Sequence, residues 1–158
     1  MSPTSVREAT WQDLAQMAEL ERECFPDDAW SEAAFWGELA QRPHRTYLVA
    51  RDEDGALVGY AGLSVAGDVA DVMTVAVAAD QRGRGTGSLL LEELHRTARA
   101  QGGASIMLEV REDNHAARHL YSGTGYEVVH RRPGYYRTAG DGPAVDALIM
   151  SKELTPDE

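Results

Sequence analysis

Val75-Ala-Val-Ala-Ala-Asp-Gln-Arg-Gly-Arg-Gly-Thr-Gly-Ser-Leu-Leu-Leu91 is the stretch whose reading decides the fold. An apolar run of β type, Val72 to Ala78, leads into the glycine-rich turn Arg82-Gly83-Arg84-Gly85-Thr86-Gly87, and a helical pattern begins directly behind it. Glycine adopts positive φ without strain and lets an anion come close to the backbone amides. The first turn of a helix has N–H groups with no internal partner and a partial positive charge. Strand, glycine turn and helix therefore make a phosphate-binding corner, to which Arg82 and Arg84 add charge. A mononucleotide P-loop needs Lys-Ser/Thr after its last glycine, whereas Ser88 and Leu89 follow Gly87. A dinucleotide fingerprint needs Gly-x-Gly-x-x-Gly and an acidic ribose partner about 20 residues on. The spacing here is Gly-x-Gly-x-Gly, in mid-chain after several strand patterns. A tight glycine turn with solvated arginines is the alternative that carries no ligand.

Outward from this corner, β patterns and helical patterns alternate unevenly. Upstream, Val6–Ala9 reads as a short strand, and Thr10 with Asp13 as a helix start. Leu14, Met17, Ala18, Leu20 and Cys24 recur at helical spacing until Pro26. Ser31 caps a second short helix with Ala34, Phe35 and Leu39, which Pro43 ends. Thr46–Arg51 and Leu57–Val65 read as a hairpin about Asp52-Glu-Asp-Gly55. Val69–Ala78 leads into the corner. Downstream, the helix from Gly87 to Gln101 puts Leu90, Leu94 and Ala98 on one face and Glu92, Glu93, Arg96 and Arg99 toward water. Gly102-Gly103 ends it. Ser105–Val110 reads as a buried strand, Asn114 caps a helix that Gly123 and Gly125 close, and Tyr126–Val129 is a strand. Pro133–Pro143 reads as a loop. Ala144–Glu153 is the last strand, with Val145, Ala147 and Ile149 as its inward set. The whole predicts a mixed α+β sandwich.

Length and composition narrow the function. The 158 residues suit one domain, 1–158, with a core over about 5–153. A formal net charge of −11 argues against nucleic-acid binding, which needs a basic face, and favours a basic partner. The single cysteine, Cys24, excludes an internal disulfide and suits a reducing cytoplasm. No apolar run is long enough to span a membrane, and no signal-peptide pattern opens the chain.

The second informative stretch is Leu108-Glu109-Val110-Arg111-x-x-Asn114-x-x-Ala117-x-x-Leu120-Tyr121-x-x-x-Gly125-Tyr126. Together with Arg82-x-x-Gly85-x-Gly87, it resembles the coenzyme-A half of the GNAT acetyltransferases, and within them the RimI type. Cys24-Phe25-Pro26 with Trp30-Ser31 is similar to that type's first inter-helix segment. Tyr135-Tyr136 and Asp146–Met150 resemble its last hairpin. The likeness covers about Val6 to Glu153. It departs at Asp71-Val-Met73, where relatives are more apolar or carry Glu, and in the two acids of the Gly67–Asp71 segment.

The resemblance implies an α/β fold with a central, mostly antiparallel sheet of about seven strands and about four flanking helices. It implies an acyltransferase that takes acetyl from acetyl-CoA. The implied acceptor is the N-terminal alanine of ribosomal protein S-eighteen, a protein with a basic N-terminal segment, acetylated by direct attack in a ternary complex. Neither nucleic acid nor membrane is a partner in this reading, and the working unit is a monomer. Lysines, polyamines or drug-like amines are the rival acceptors, and a catalytically silent acetyl-CoA-binding module is the rival outside enzymes. In the resemblance, the amides of Arg82, Gly83, Arg84, Gly85, Thr86 and Gly87 hold the cofactor's diphosphate. The backbone of Val75, Ala76 and Val77 pairs with its pantetheine arm, and Asn114 makes a further contact.

The chemistry explains the remaining roles. Only a neutral amine attacks a thioester, and an α-amine with pKa near ~8 is about one-tenth neutral at pH 7. The family implies Glu109 as the base and Tyr121 as the acid that protonates the departing thiolate. The alternatives are a glutamate solvated or paired with Arg111, and a core tyrosine beside Leu120. Trp30, Tyr135 and Tyr136, with Asp27 and Asp28, are candidates for a peptide groove, or ordinary loop residues. Cys24 lies on an apolar helix face without a histidine nearby, so packing is favoured over an acetyl-enzyme. His115 and His119 stand at i,i+4 without the Glu of a zinc-protease helix, which argues against a metal.

Overall fold

The computed structural model describes residues 4–26, 29–42, 44–136 and 143–154. In chain order the elements are β1 (Ser5–Glu8), α1 (Leu14–Cys24), α2 (Glu32–Leu39), β2 (Arg45–Arg51), β3 (Leu57–Ala66), β4 (Val69–Val77), α3 (Thr86–Ala100), β5 (Ser105–Arg111), α4 (His115–Gly123), β6 (Glu127–Tyr136) and β7 (Val145–Glu153). The seven strands form one sheet in the order β1-β2-β3-β4-β5-β7-β6. Every pairing is antiparallel except β4 with β5. Fold class and element count match the sequence expectation.

The period-two alternation of the strands sorts side chains onto two faces. In β2, Leu48 and Ala50 join the core beneath α3 and α4, where Leu90, Leu91, Leu94, Ile106 and Leu148 are fully buried. Tyr47 and Val49 point the other way, to Met17, Leu20 and Phe35 of α1 and α2. The sheet is thus the middle layer of three. Burying each large aliphatic side chain contributes about 1.5–3 kcal/mol.

Asp13 ties the N-terminal strand to this frame. Its side chain is 1% exposed and receives two bonds of 2.8 Å from Arg7 and one of 2.7 Å from Arg51. The Thr10 N–H adds a fourth at 2.8 Å. Burial alone pushes the carboxyl pKa upward, but these donors outweigh it and hold the group far below the usual carboxylate range.

Three local expectations are corrected. Pro133–Tyr136 continue strand β6 and are not a loop. Proline lacks the N–H of a ladder bond, and β6 is the sheet's edge, where that lack is tolerated. In β7 the side chains packed into the α3/α4 core are Leu148 and Met150, while Ile149 is half-buried. Arg99 is half-buried and does not stand free in water. Pro43, the expected end of α2, lies outside the described residues, and α2 stops at Leu39.

Candidate active site

The site arises where β4 and β5 separate. Their parallel pairing spans only Val69–Asp71 against Ser105–Met107. Beyond it β4 runs on to Val77 and β5 to Arg111, with no pairing between them. Met73 is an extra residue in β4, because Leu63 faces Val72 and Gly62 faces Thr74. A bulge of this kind bends and twists its strand, here at the level where β5 is released.

One cavity, of about 660 Å³, lies along the far half of β4. Val75, Ala76 and Val77 form its floor, Cys24 and Phe25 one wall, and Ala117, Leu120 and Tyr121 of α4 the other. Val75–Val77 pair with Gly59–Ala61 of β3 on one side only. Their other edge is open to an extended ligand.

The glycine turn closes one end of this cavity. Gly83 and Gly85 have φ of +78° and +86°, the left-handed region where a Cβ is strained. Gly85 precedes α3 and receives no side-chain cap. The first helical bond accepted there comes from the Leu89 N–H, at 3.0 Å to the Gly85 oxygen. The amides of Thr86, Gly87 and Ser88 are therefore left over for a ligand. Gly87 has another reason to be glycine: a Cβ there would meet Leu120 Cδ2 at 2.9 Å. Gly83, Gly87 and Ser88 line the cavity, whereas Thr86 is buried and, like Gly85, is not part of its lining. Arg84 is exposed, away from the cavity lining. Arg82 folds back, donating to the Val77 oxygen at 3.2 Å with its other end near Cys24 Sγ at 3.8 Å. Asn114 lines the cavity and caps α4, its Oδ1 accepting from the Ala117 N–H at 3.2 Å. An apolar channel ending in free amides fits a pantetheine diphosphate, with the amides and Arg82 at its anionic end.

Tyr121 faces the same cavity and is otherwise buried against the Tyr126 ring at 5.8 Å. Burial pushes its pKa up to about 12. The hydroxyl therefore stays protonated at neutral pH and is able to donate.

Glu109 opens into a second hollow, of about 450 Å³, with Asp71, Met73, Met107 and Tyr136. Its partner is Arg132, at 3.5 Å, and not Arg111, which is engaged by Asp113 at 3.0 Å. Arg132 also covers the Tyr135 ring at 3.9 Å. Burial, then the Glu109 charge and a hydrogen bond to it, push the Tyr136 pKa up to about 12. Burial raises that of Asp71. Tyr135 and Tyr136 thus stand beside the carboxylate, joined to it through Arg132 and a hydrogen bond. Trp30 packs on Phe35, ring centres 5.6 Å apart, and lines neither hollow. Asp27 and Asp28 lie outside the described residues. His115 and His119 are exposed on α4.

Sequence reasoning did not single out Arg132, and it named Phe25 only as part of the Cys24-Phe25-Pro26 segment, not as a cavity residue. The Arg131-Arg132 pair in an acidic chain was the available signal for the first. The second needed the fold, since Phe25 reaches the cavity only through packing.

Comparison with known proteins agrees with this geometry. The chain is 42% identical over 156 residues to the N-alpha-acetyltransferase RimI of Mycobacterium tuberculosis, covering 96% of this chain and 93% of that protein. It is 33% identical over 155 residues to the [ribosomal protein bS18]-alanine N-acetyltransferase of Salmonella typhimurium, covering 98% and 99%. The crystal structure of the ribosomal-protein-S18-alanine N-acetyltransferase from Escherichia coli superposes with a TM-score of 0.85 at 28% identity, covering 99% and 97%. The profile of the acetyltransferase (GNAT) family matches residues 14–126, a span that takes in the glycine corner, the separated strands, Glu109 and Tyr121. With its sheet, its amide-lined corner and these relatives in agreement, the chain belongs to the GNAT acetyltransferase family.

Proposed function

We propose that this protein transfers acetyl from acetyl-CoA to the α-amine of an N-terminal alanine, that of ribosomal protein bS18. The observation that carries the reading is the separation of β4 from β5, which leaves an anion-binding corner on one strand and a carboxylate on the other. Relatives 32–42% identical over nearly the whole chain include the enzymes described as acting on bS18 alanine. When bound, acetyl-CoA supplies the thioester acetyl. Amides from Gly83 to Ser88 and the Arg82 guanidinium hold its diphosphate. The open edge of Val75–Val77 aligns its arm, and one of those amides polarises the acetyl carbonyl.

Glu109 accepts the proton that the acceptor ammonium must lose, directly or through one water. Approach of a cationic amine competes with Arg132 for the same carboxylate, so Arg132 holds Glu109 in place until the acceptor arrives. Tyr121 gives its proton to the departing sulfur. Asp71 and Glu109 face an acceptor rich in positive charge, which the chain's formal −11 also favours. Tyr135 and Tyr136 border the acceptor side, while Trp30, within the α1–α2 segment, packs on Phe35. Every group named belongs to one chain, so a monomer suffices. The setting we assign is the cytoplasm; among the described residues no helix is long and apolar enough to cross a membrane.

The test is acetylation of a peptide beginning with the bS18 N-terminus, read by mass and by thiol release, against a panel of lysine peptides, polyamines and small amines. Modification of another amine in preference to the peptide refutes the acceptor assignment. Coenzyme-A binding without thiol release for any amine makes the protein a silent binding module.

A further inference from the structure

We infer that Lys152 is a positioning residue for Tyr121: from strand β7 its ammonium fastens the C-terminal end of α4, the helix that presents the acid to the departing sulfur. The inference rests on the acetyl-transfer reading above.

Helix α4 is nine residues long, and Tyr121 is its one buried side chain. Ala117 and Leu120 are only partly buried. A helix this short is not stable by itself, and so little apolar burial leaves much of its restraint to its ends. At the first end Asn114 caps it, and Arg118 donates to the Glu112 main-chain oxygen at 3.0 Å. At the other end the chain turns sharply. The Thr124 hydroxyl donates to the Leu120 and Tyr121 oxygens at 3.1 and 3.0 Å, and the Tyr126 N–H donates to the Tyr121 oxygen at 3.0 Å. These bonds lie within the turn. The tie to the sheet is Lys152, whose Nζ donates to the Thr124 main-chain oxygen.

The local structure suits a lysine here. Lys152 follows Leu148 and Met150 on the face of β7 that packs toward α3 and α4, so the strand's alternation aims it at the helix. Its stem crosses Gly125, where a Cβ would stand 3.0 Å from Nζ and 3.5 Å from Cδ and Cε. It is the single lysine of the chain; every other side chain of the Lys/Arg type is arginine. A compact ammonium on a thin stem suits this gap better than a broad guanidinium fork, and a cation there meets the negative end of the helix. Lys152 also supports Tyr121 from behind. Tyr126 packs on the Tyr121 ring at 5.8 Å, and its hydroxyl lies 2.7 Å from His95 Nε2. Burial, then the Lys152 charge, keeps that histidine neutral. Leu120, Tyr121 and Gly123 line the cavity, so a shift of this helix end moves the phenol against the sulfur. The diphosphate corner lies at the start of α3, whereas Lys152 stands by His95 and Arg99 toward its end.

The experiment compares wild type, Lys152→Met, Lys152→Gln, Tyr121→Phe and the double variant Tyr121→Phe/Lys152→Met. Methionine keeps the stem and removes the charge and the donor. Acceptor KM and kcat are measured with the amine that wild type acetylates, Kd for coenzyme A by calorimetry, and exchange of the Thr124 and Gly125 amides by NMR. Lys152→Met is expected to lower kcat about 10-fold, and Lys152→Gln about 3- to 10-fold, since a small misplacement of a reacting group costs up to about 10²-fold. KM and Kd stay within about 3-fold, and the two amides exchange at least about 10-fold faster. In the double variant kcat matches that of Tyr121→Phe within about 2-fold, because a residue acting through the phenol has nothing left to act on. A merely structural role would instead lower kcat equally in both backgrounds. Wild-type kcat in folded Lys152→Met overturns the inference, as does a further 10-fold loss in the double variant or unchanged amide exchange. Should Lys152→Met not fold, Lys152→Gln, alone and with Tyr121→Phe, decides by the same criteria. Wild-type kcat in Tyr121→Phe strikes the reading of Tyr121 as the acid, and the inference falls with it. An impaired Tyr121→Phe beside an unimpaired Lys152→Met strikes the inference alone.

Discussion

Gly85 offers the sharpest test of the anion corner. Its φ of +86° lies in the left-handed region, and nothing stands within 4 Å of where a Cβ would be. Gly85→Ala therefore introduces no clash; its whole effect is conformational. Holding alanine there costs about 1–2 kcal/mol. The helix behind it is anchored by Leu90, Leu91 and Leu94, all fully buried. In the free protein the turn relaxes to negative φ while α3 stays docked, so stability changes little. Binding must then restore the strained turn, and the cost appears in affinity as a loss of about 5- to 30-fold. Calorimetry with coenzyme A reads this directly. Gly85→Asn is the control, because asparagine tolerates this region and should lose about 3-fold or less. Gly85→Ala with wild-type affinity, or Gly85→Asn as weak as the alanine variant, would refute the claim that left-handed backbone shapes the site.

Glu109→Gln and Tyr121→Phe should each lower kcat by about 10²-fold or more while leaving coenzyme-A affinity unchanged, as steady-state kinetics beside calorimetry will show. Gly62→Ala places a Cβ 2.5 Å from Tyr47 Cε2, and that ring is buried against Phe35 at 6.0 Å. A loss of about 1–3 kcal/mol in urea unfolding, at constant m value, is expected. His95 is buried, its Nε2 2.7 Å from the Tyr126 hydroxyl, and burial lowers its pKa from 6.5 to about 4. The unfolded chain protonates this histidine first, so its contribution is complete above pH 6.5 and fades as pH falls toward 4. Thermal unfolding across that window should weaken less in His95→Gln than in wild type. The Asp13 cluster fails only at lower pH, below the unfolded aspartate value, which separates the two effects.

How far the sequence was legible depended on the range of the interactions involved. The capping residues Ser31 and Asn114 act within three positions of themselves, and both cap as the pattern implied. The glycine corner was readable for the same reason. Glu109 and Tyr121 were assigned by family likeness, because a strand-end glutamate and a helix tyrosine look ordinary in isolation. Lys152 was unreadable: it looked like an ordinary strand base, and its partner Thr124 is 28 residues away. The release of β5 from β4 was also hidden, since both strands are largely apolar and local pattern does not reveal where pairing stops. Strand β6 was cut short because a proline weighs against a central strand, and only the strand order shows that this one is at the rim.

The place where β4 parts from β5 also bears on solubility. A sheet's outer rims invite foreign strands, but this opening is bounded by protein on both sides. Its unpaired edge, Val75–Val77, lies inside the sheet between β3 and β5 and not at a rim. On the proposed reading, the donor molecule's arm lies along this edge as a temporary extra strand of the sheet. Each turnover removes that rung and puts it back, so heat tolerance should follow the cell's supply of the donor, and a starved enzyme should be the softer one.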